Sequence, residues 1–208
     1  MISLAKHFIQ LFATLARVRS GFGVWLVLIW SFSAVSGICG DETEVAAPVK
    51  FEYQLKAGFL FNFARFTEWP TNAAATTNTD TVRIGILDDG KIYPIIASEL
   101  AGKRIGAKSI EVVRCKSADD LKRCGMVFVT RSQAGRPGEL WKTVADSPVL
   151  TVGEFEGFAE HGGCVNFVRQ GENVRFEVNL GAAEQAGLKI SSKLASVAII
   201  VRSKEGEK

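Results

Sequence analysis

The chain has 208 residues, 47% of them hydrophobic and 23% charged, with a formal net charge of +3. That excess equals the three cations Lys6, Arg17 and Arg19 of an opening stretch, residues 1–36, that holds no acid, so the body after it is charge-neutral. Nothing in a neutral body suggests the clustered positive surface that nucleic-acid phosphates demand, and its length suits one domain with a real core.

From those cations the opening stretch runs into GFGVWLVLIW and then into the small residues of SFSAVSG. A charged start, a hydrophobic middle and Ala34 and Ser36 at the −3 and −1 positions predict export, with residues 1–36 a signal peptide cleaved after Ser36. The alternative is an uncleaved anchor, because the apolar region from Gly21 to Ile38 is close to the length that spans a bilayer. On either reading the body leaves the cytoplasm. Residues 37–50 mix acids, alanines and Pro48 and read as a flexible lead.

The domain itself is expected over 51–203, with 204–208 a tail. It opens on FEYQLKAGFLFNFARFTEWP, residues 51–70, where Leu55, Phe59, Phe63 and Phe66 recur at helical spacing. Ala57, Leu60, Phe61 and Ala64 fill most of the remaining circumference and leave a narrow polar edge of Glu52, Lys56 and Arg65. The pattern predicts a buried helix that Trp69 and Pro70 bring to a stop. A polar loop, TNAAATTNTDT, follows.

Alternation comes next. Strands are expected at Val82–Leu87, Ile110–Arg114, Met126–Thr130 and Pro148–Val152, with helices at Ile92–Leu100, Ala118–Arg123 and Glu139–Ala145 between them. Cys164–Arg169 and Val174–Val178 read as a hairpin around Gly171 and Asn173. Leu180–Ala186, closed by Gly187, and KLASVAIIVR read as two terminal helices. The expected fold is a single three-layer α/β domain: a mostly parallel sheet with helices on both faces, then a C-terminal β-hairpin followed by two helices.

No nucleophile elbow, H-E-x-x-H or phosphate-cradling loop is present, and no catalytic residue, cofactor or metal site is assigned. His161 is expected to be an exposed turn residue. Its convergence with Asp88 and Arg175 in one cleft would point to an enzyme. Asp88 and Asp89 end a parallel strand where α/β sheets place ligands, although such acids also serve as turn and N-cap residues. Asn62, the uncharged polar residue on the most apolar part of the first helix, is expected to be a buried, hydrogen-bonded amide, with a ligand contact as the alternative.

Phe155 and Phe158 in GEFEGFAEHGG, and Leu188 and Ile190 in GLKISS, are either anchors on the core or an exposed partner-binding surface. Cys115, Cys124 and Cys164 are disulfide candidates in an oxidising compartment. A crossover helix between Cys115 and Cys124 would hold those two sulfurs on the order of 10 Å apart, too far to bridge.

The run YQLKAGFLFNFARFTEWP, together with LAGKRIG, PVLTVGEFEGFAEHGGCVNF and VRFEVNLGAAEQAGLKISSKL in that order, resembles the YfiR family of small periplasmic regulators. The resemblance implies a periplasmic protein that forms a homodimer. It also implies that the protein binds and represses the periplasmic sensor region of an inner-membrane diguanylate cyclase, lowering cyclic di-GMP signalling. The alternative from another class is a periplasmic small-ligand-binding module that serves a histidine kinase or transporter.

Overall fold

A computed structural model describes residues 46–74, 80–88, 90–135, 139–171 and 173–204. The leader, Cys39 and Asp89 lie outside the described residues. In chain order the elements are α1 (Ala47–Arg65), β1 (Thr67–Glu68), β2 (Thr81–Leu87), α2 (Tyr93–Leu100), β3 (Arg104–Ile105), β4 (Lys108–Arg114), α3 (Ala118–Lys122) and β5 (Met126–Val129). After two 3-10 turns, Arg131–Gln133 and Leu140–Val144, come β6 (Leu150–Gly153), β7 (Val165–Gln170), β8 (Asn173–Asn179), α4 (Leu180–Gln185), β9 (Lys189–Ile190), α5 (Ser192–Ala195) and β10 (Ile199–Val201).

Eight strands form one sheet in the order β10-β8-β7-β6-β5-β2-β4-β3. The run β4-β2-β5-β6-β7 is parallel throughout, β7 and β8 form the antiparallel hairpin, and β10 lies parallel to β8. The hairpin turns at Gly171, whose φ of 62° is the left-handed conformation that glycine adopts without a Cβ clash. A separate antiparallel pair, β1 with β9, ties the end of α1 to the segment after α4. The protein is thus a mixed α/β domain with a mostly parallel central sheet.

Helices cover both faces. On one side α1, α2 and the residue before α2 contribute Leu60, Phe63, Ile92, Ile96 and Leu100 to a core that includes Phe128, Val165, Phe167, Phe176 and Val178. On the other, Leu121, Trp141, Val144 and Phe158 pack on Val127 and Val129. Switching faces between successive crossovers is what gives the strands continuous apolar runs such as Met126–Val129, buried at every position.

Besides the unexpected two-residue strands β1, β3 and β9 and the helical start of α1 at Ala47 inside the expected flexible lead, two elements depart from the sequence reading. KLASVAIIVR is one helical turn, Ser192–Ala195, followed by the edge strand β10 rather than a second apolar helix. Its β-branched Val197, Ile199, Ile200 and Val201 favour a pleated strand over a helix, and the edge of β8 supplies a partner.

The first helix also differs. It ends at Arg65, before Trp69 and Pro70, because Thr67 and Glu68 pair with β9. Its buried residues are Lys56, Ala57, Leu60, Phe63 and Ala64, so the face inward is rotated from the Leu55–Phe59–Phe63–Phe66 stripe. Phe51 is 69% exposed and Leu55 43%. Lys56, expected on the polar edge, is instead buried.

Candidate functional site

Glu154 follows the last residue of β6, at the C-terminal end of the parallel strands, and is buried with Lys56. Lys56 Nζ lies 2.5 Å from Glu154 Oε2 and 2.6 Å from Glu52 Oε1. The other carboxylate oxygen accepts from the Tyr53 hydroxyl at 2.7 Å and the Arg131 amide at 2.8 Å. An unpaired charge here would cost several kcal/mol. With three donors on the carboxylate, the cluster instead locks the N-terminal half of α1 onto the ends of β5 and β6. Burial first, and then the nearby Glu154 carboxylate, push the Tyr53 hydroxyl far above the usual phenol range, so it stays protonated and donates.

An open cleft of about 540 Å³ lies beside this lock, lined by Arg131, Glu154, Asn166, Arg169, Glu177 and Lys204 among others. Asn166 Nδ2 donates to Glu177 Oε2 at 3.0 Å, and the Asn166 Oδ1 acceptor has no partner among the described residues. Lys204 pairs with Glu160 at the rim. None of Asp88, His161 and Arg175 lines this cleft. His161 is exposed, its Nδ1 2.6 Å from the Gly157 carbonyl oxygen.

The site residues expected from the sequence are placed as follows. Asp88 Oδ2 accepts from the Ile92 and Tyr93 amides, both at 2.8 Å, and so holds the start of α2. Asn62 is exposed, which corrects the expectation of a buried amide. Phe158 is fully buried, with its ring over Trp141 at 4.4 Å and edge-on to Phe155 at 5.1 Å. A Cβ on Gly153 or Gly163 would collide with that ring, so the two glycines make the space into which the loop folds. Leu188 is buried and Ile190 half-buried in the β1–β9 pair. Phe158 and Leu188 are therefore core anchors and offer no surface to a partner.

Cys115 and Cys124 are both buried, with their sulfurs 3.8 Å apart. The separation expected from a crossover fails because β4 and β5 are not neighbours: β2 lies between them, and both sulfurs meet above its Gly85. A Cβ there would lie 2.5 Å from Cys115 Sγ and 2.9 Å from Cys124 Sγ. The five residues of α3, opened by a Ser117 capping box with Asp120, are short enough to return the chain to that point. The hydrogen bond with Cys115, and then burial, hold the Cys124 thiol well above its usual range. Cys164 is buried in the core on the opposite face, and burial raises its thiol as well.

The apolar surface that sequence reasoning missed lies elsewhere. Val197 is 57% exposed, Ile200 50% and Ile199 38%, all on or just before the edge strand β10. A β-branched run of this kind, read as a strand, would have signalled it.

A family model described as YfiR/HmsC-like matches residues 53–199. No curated protein sequence matches the chain. Among solved structures, one described as the ABC domain in complex with L-Trp from Streptococcus pneumonia is similar at 11% identity and a TM-score of 0.44, covering 58% of this chain. The chain spans 55% of that structure's length. Among the described residues no helix is long and apolar enough to cross a membrane, and no group of His, Cys, Asp and Glu could hold a metal ion.

Proposed function

We propose, from the premise that this chain belongs to the YfiR/HmsC-like family, that it is a periplasmic regulator that binds the sensor region of an inner-membrane diguanylate cyclase and holds the enzyme inactive. The observation that carries this reading is the family match across 53–199, nearly the whole described domain. Repression by binding requires the regulator to grip the cyclase's inactive state more tightly than its active one. The proposal includes a homodimer, whose mass sedimentation would report. Deleting the chain's gene is expected to raise cellular cyclic di-GMP, and restoring it to lower the level again; an unchanged level contradicts the reading.

The thiols of Cys115 and Cys124 form a disulfide after export, in this reading, by exchange with an oxidised dithiol carrier that takes up the two electrons and two protons. Their closed position over Gly85 supports this pairing. Reductant is then expected to weaken cyclase binding, and an affinity unchanged on reduction removes redox control from the account.

A second reading, a small-ligand module serving a histidine kinase or transporter, is favoured by the cleft beside Glu154, whose volume lies within the usual range for ligand sites. Mass spectrometry of the protein as purified from the periplasm tests it. A stoichiometric small molecule released on denaturation supports the second reading, and an empty protein argues against it.

A further inference from the structure

β10 is the outermost strand of the sheet, and nothing pairs with its outer edge among the described residues. Its register against β8 sets Ile200 beside Val178, on the α1 side of the sheet, and Ile199 beside Glu177, on the other side. Both faces of this edge are therefore apolar and exposed. Soluble proteins ordinarily blunt such an edge with a charge, a proline or a bulge, yet LASVAIIV, from Leu194 to Val201, contains no charge and no proline. An unprotected edge of this kind is a template for a further strand.

The charge around the edge selects the occupant. Lys193 and Arg202 flank β10 on its two sides, with Lys204 and then Glu205 and Glu207 following in the chain, and no acid lies between Lys193 and Lys204. Lys204 is paired with Glu160, but Lys193 and Arg202 make no ion pair among the described residues. A second copy of β10 would set these cations against one another, whereas a strand with carboxylates at its ends would meet them in opposite sign. We infer that β10 is a docking edge for an extended, apolar, acid-flanked segment of the protein partner, added as a ninth strand to the sheet. This inference rests on the reading of the chain as a partner-binding regulator and names the surface it uses.

The test has two arms on the mature chain. In the first, fluorescence anisotropy follows a labelled strand peptide of sequence DVTVTVE and its counterpart KVTVTVK. The acid-ended peptide is expected to bind at least about tenfold more tightly. The doubly reversed variant Lys193→Glu/Arg202→Glu is expected to invert that preference, and Ile200→Lys to remove binding of both. Circular dichroism checks that Ile200→Lys is folded, with Ile200→Thr as the milder substitute. Equal binding of the two peptides, or none, overturns the inference.

In the second arm the ligand is the periplasmic sensor region of an inner-membrane diguanylate cyclase from the same cell. Binding to the wild type that falls at least about tenfold in the β10 variants supports the edge. Binding undiminished by those variants overturns it and leaves the regulator reading standing. No binding to the wild type, with the peptide result intact, removes the cyclase as partner and leaves the edge. Sedimentation supplies the last outcome: a dimer that Ile200→Lys dissociates would show that a second copy occupies β10, against the inference.

Discussion

The loop from Glu154 to Gly163 and the strand β10 carry comparable apolar residues and have opposite fates. The loop lies between acids and glycines, yet it folds Phe158 fully into the second core. β10 has the composition of a core segment, yet it stands at the margin of the sheet with Ile199 and Ile200 exposed. The difference comes from what each segment can pack against. Gly153 and Gly163 leave a ring-shaped vacancy beside Trp141, whereas β10 has β8 on one side and no strand on the other among the described residues. Hydrophobicity sets the wish to be buried, and neighbouring geometry decides whether it is granted.

Substitutions can break this contrast, and the largest effect is expected in the loop. Phe158→Ala should destabilise the protein by about 3–5 kcal/mol, the usual cost of emptying a buried aromatic site, read as a fall in the urea midpoint. If Phe158→Ala cost no more than a surface substitution, the loop would not be an anchored part of the core.

Next comes the lock that fixes the start of α1 above that loop. Lys56→Met leaves the Glu154 carboxylate buried without its cation and should also cost about 3–5 kcal/mol. The double variant Lys56→Met/Glu154→Leu should recover much of that loss, because it removes both charges. A double variant as unstable as the sum of the two singles would contradict the pairing.

Gly85→Ala forces a methyl group against the two sulfurs and should cost about 1–3 kcal/mol by overpacking. The penalty should shrink when Cys115→Ala is introduced beside it, which a strand defect unrelated to the sulfurs would not do.

At the other pole of the comparison, Ile200→Lys should change stability by no more than about 0.5 kcal/mol, as surface substitutions do. A large loss there would mean that β10 is core after all.

The smallest effect concerns acid. Burial alone would raise the Glu52 carboxyl, but the hydrogen bond and charge of Lys56 outweigh it and hold the group below its ordinary value of 4.5. A depressed carboxylate contributes stability above its unfolded value and loses it as pH falls through the folded one. Glu52→Gln should therefore flatten the stability profile between about pH 5 and pH 3 and leave it parallel to the wild type above that window.

The same contrast explains what could be read from the residues alone. The alternation of branched apolar runs with short helical segments was legible because the central strands β2, β5 and β6 are buried on both faces over most of their length, so they stand out without tertiary information. The turn chemistry at Gly171 and Gly187 was legible for a similar local reason.

What failed was long-range. Lys56 resembles any solvated helix lysine until Glu154, 98 residues away, comes to meet it. Cys115 and Cys124 looked unbridgeable because the strand between their own two strands, β2, arrives from earlier in the chain. The capping geometry of Asp88 is local, because an acid just before a helix satisfies nearby amides whatever lies beyond. KLASVAIIVR reads as a helix because short apolar runs do not distinguish the two periods; the open edge of β8 makes its second half a strand.

The proposed repression rests on this chain silencing a cyclase by binding its extracytoplasmic region. The most direct measurement is the rate at which that cyclase, reconstituted full-length in nanodiscs, converts GTP to cyclic di-GMP as the mature chain is titrated in. A saturable fall in rate, shifted to higher concentration by Ile200→Lys, is the expected result. A rate that stays constant while the two proteins remain bound would contradict it.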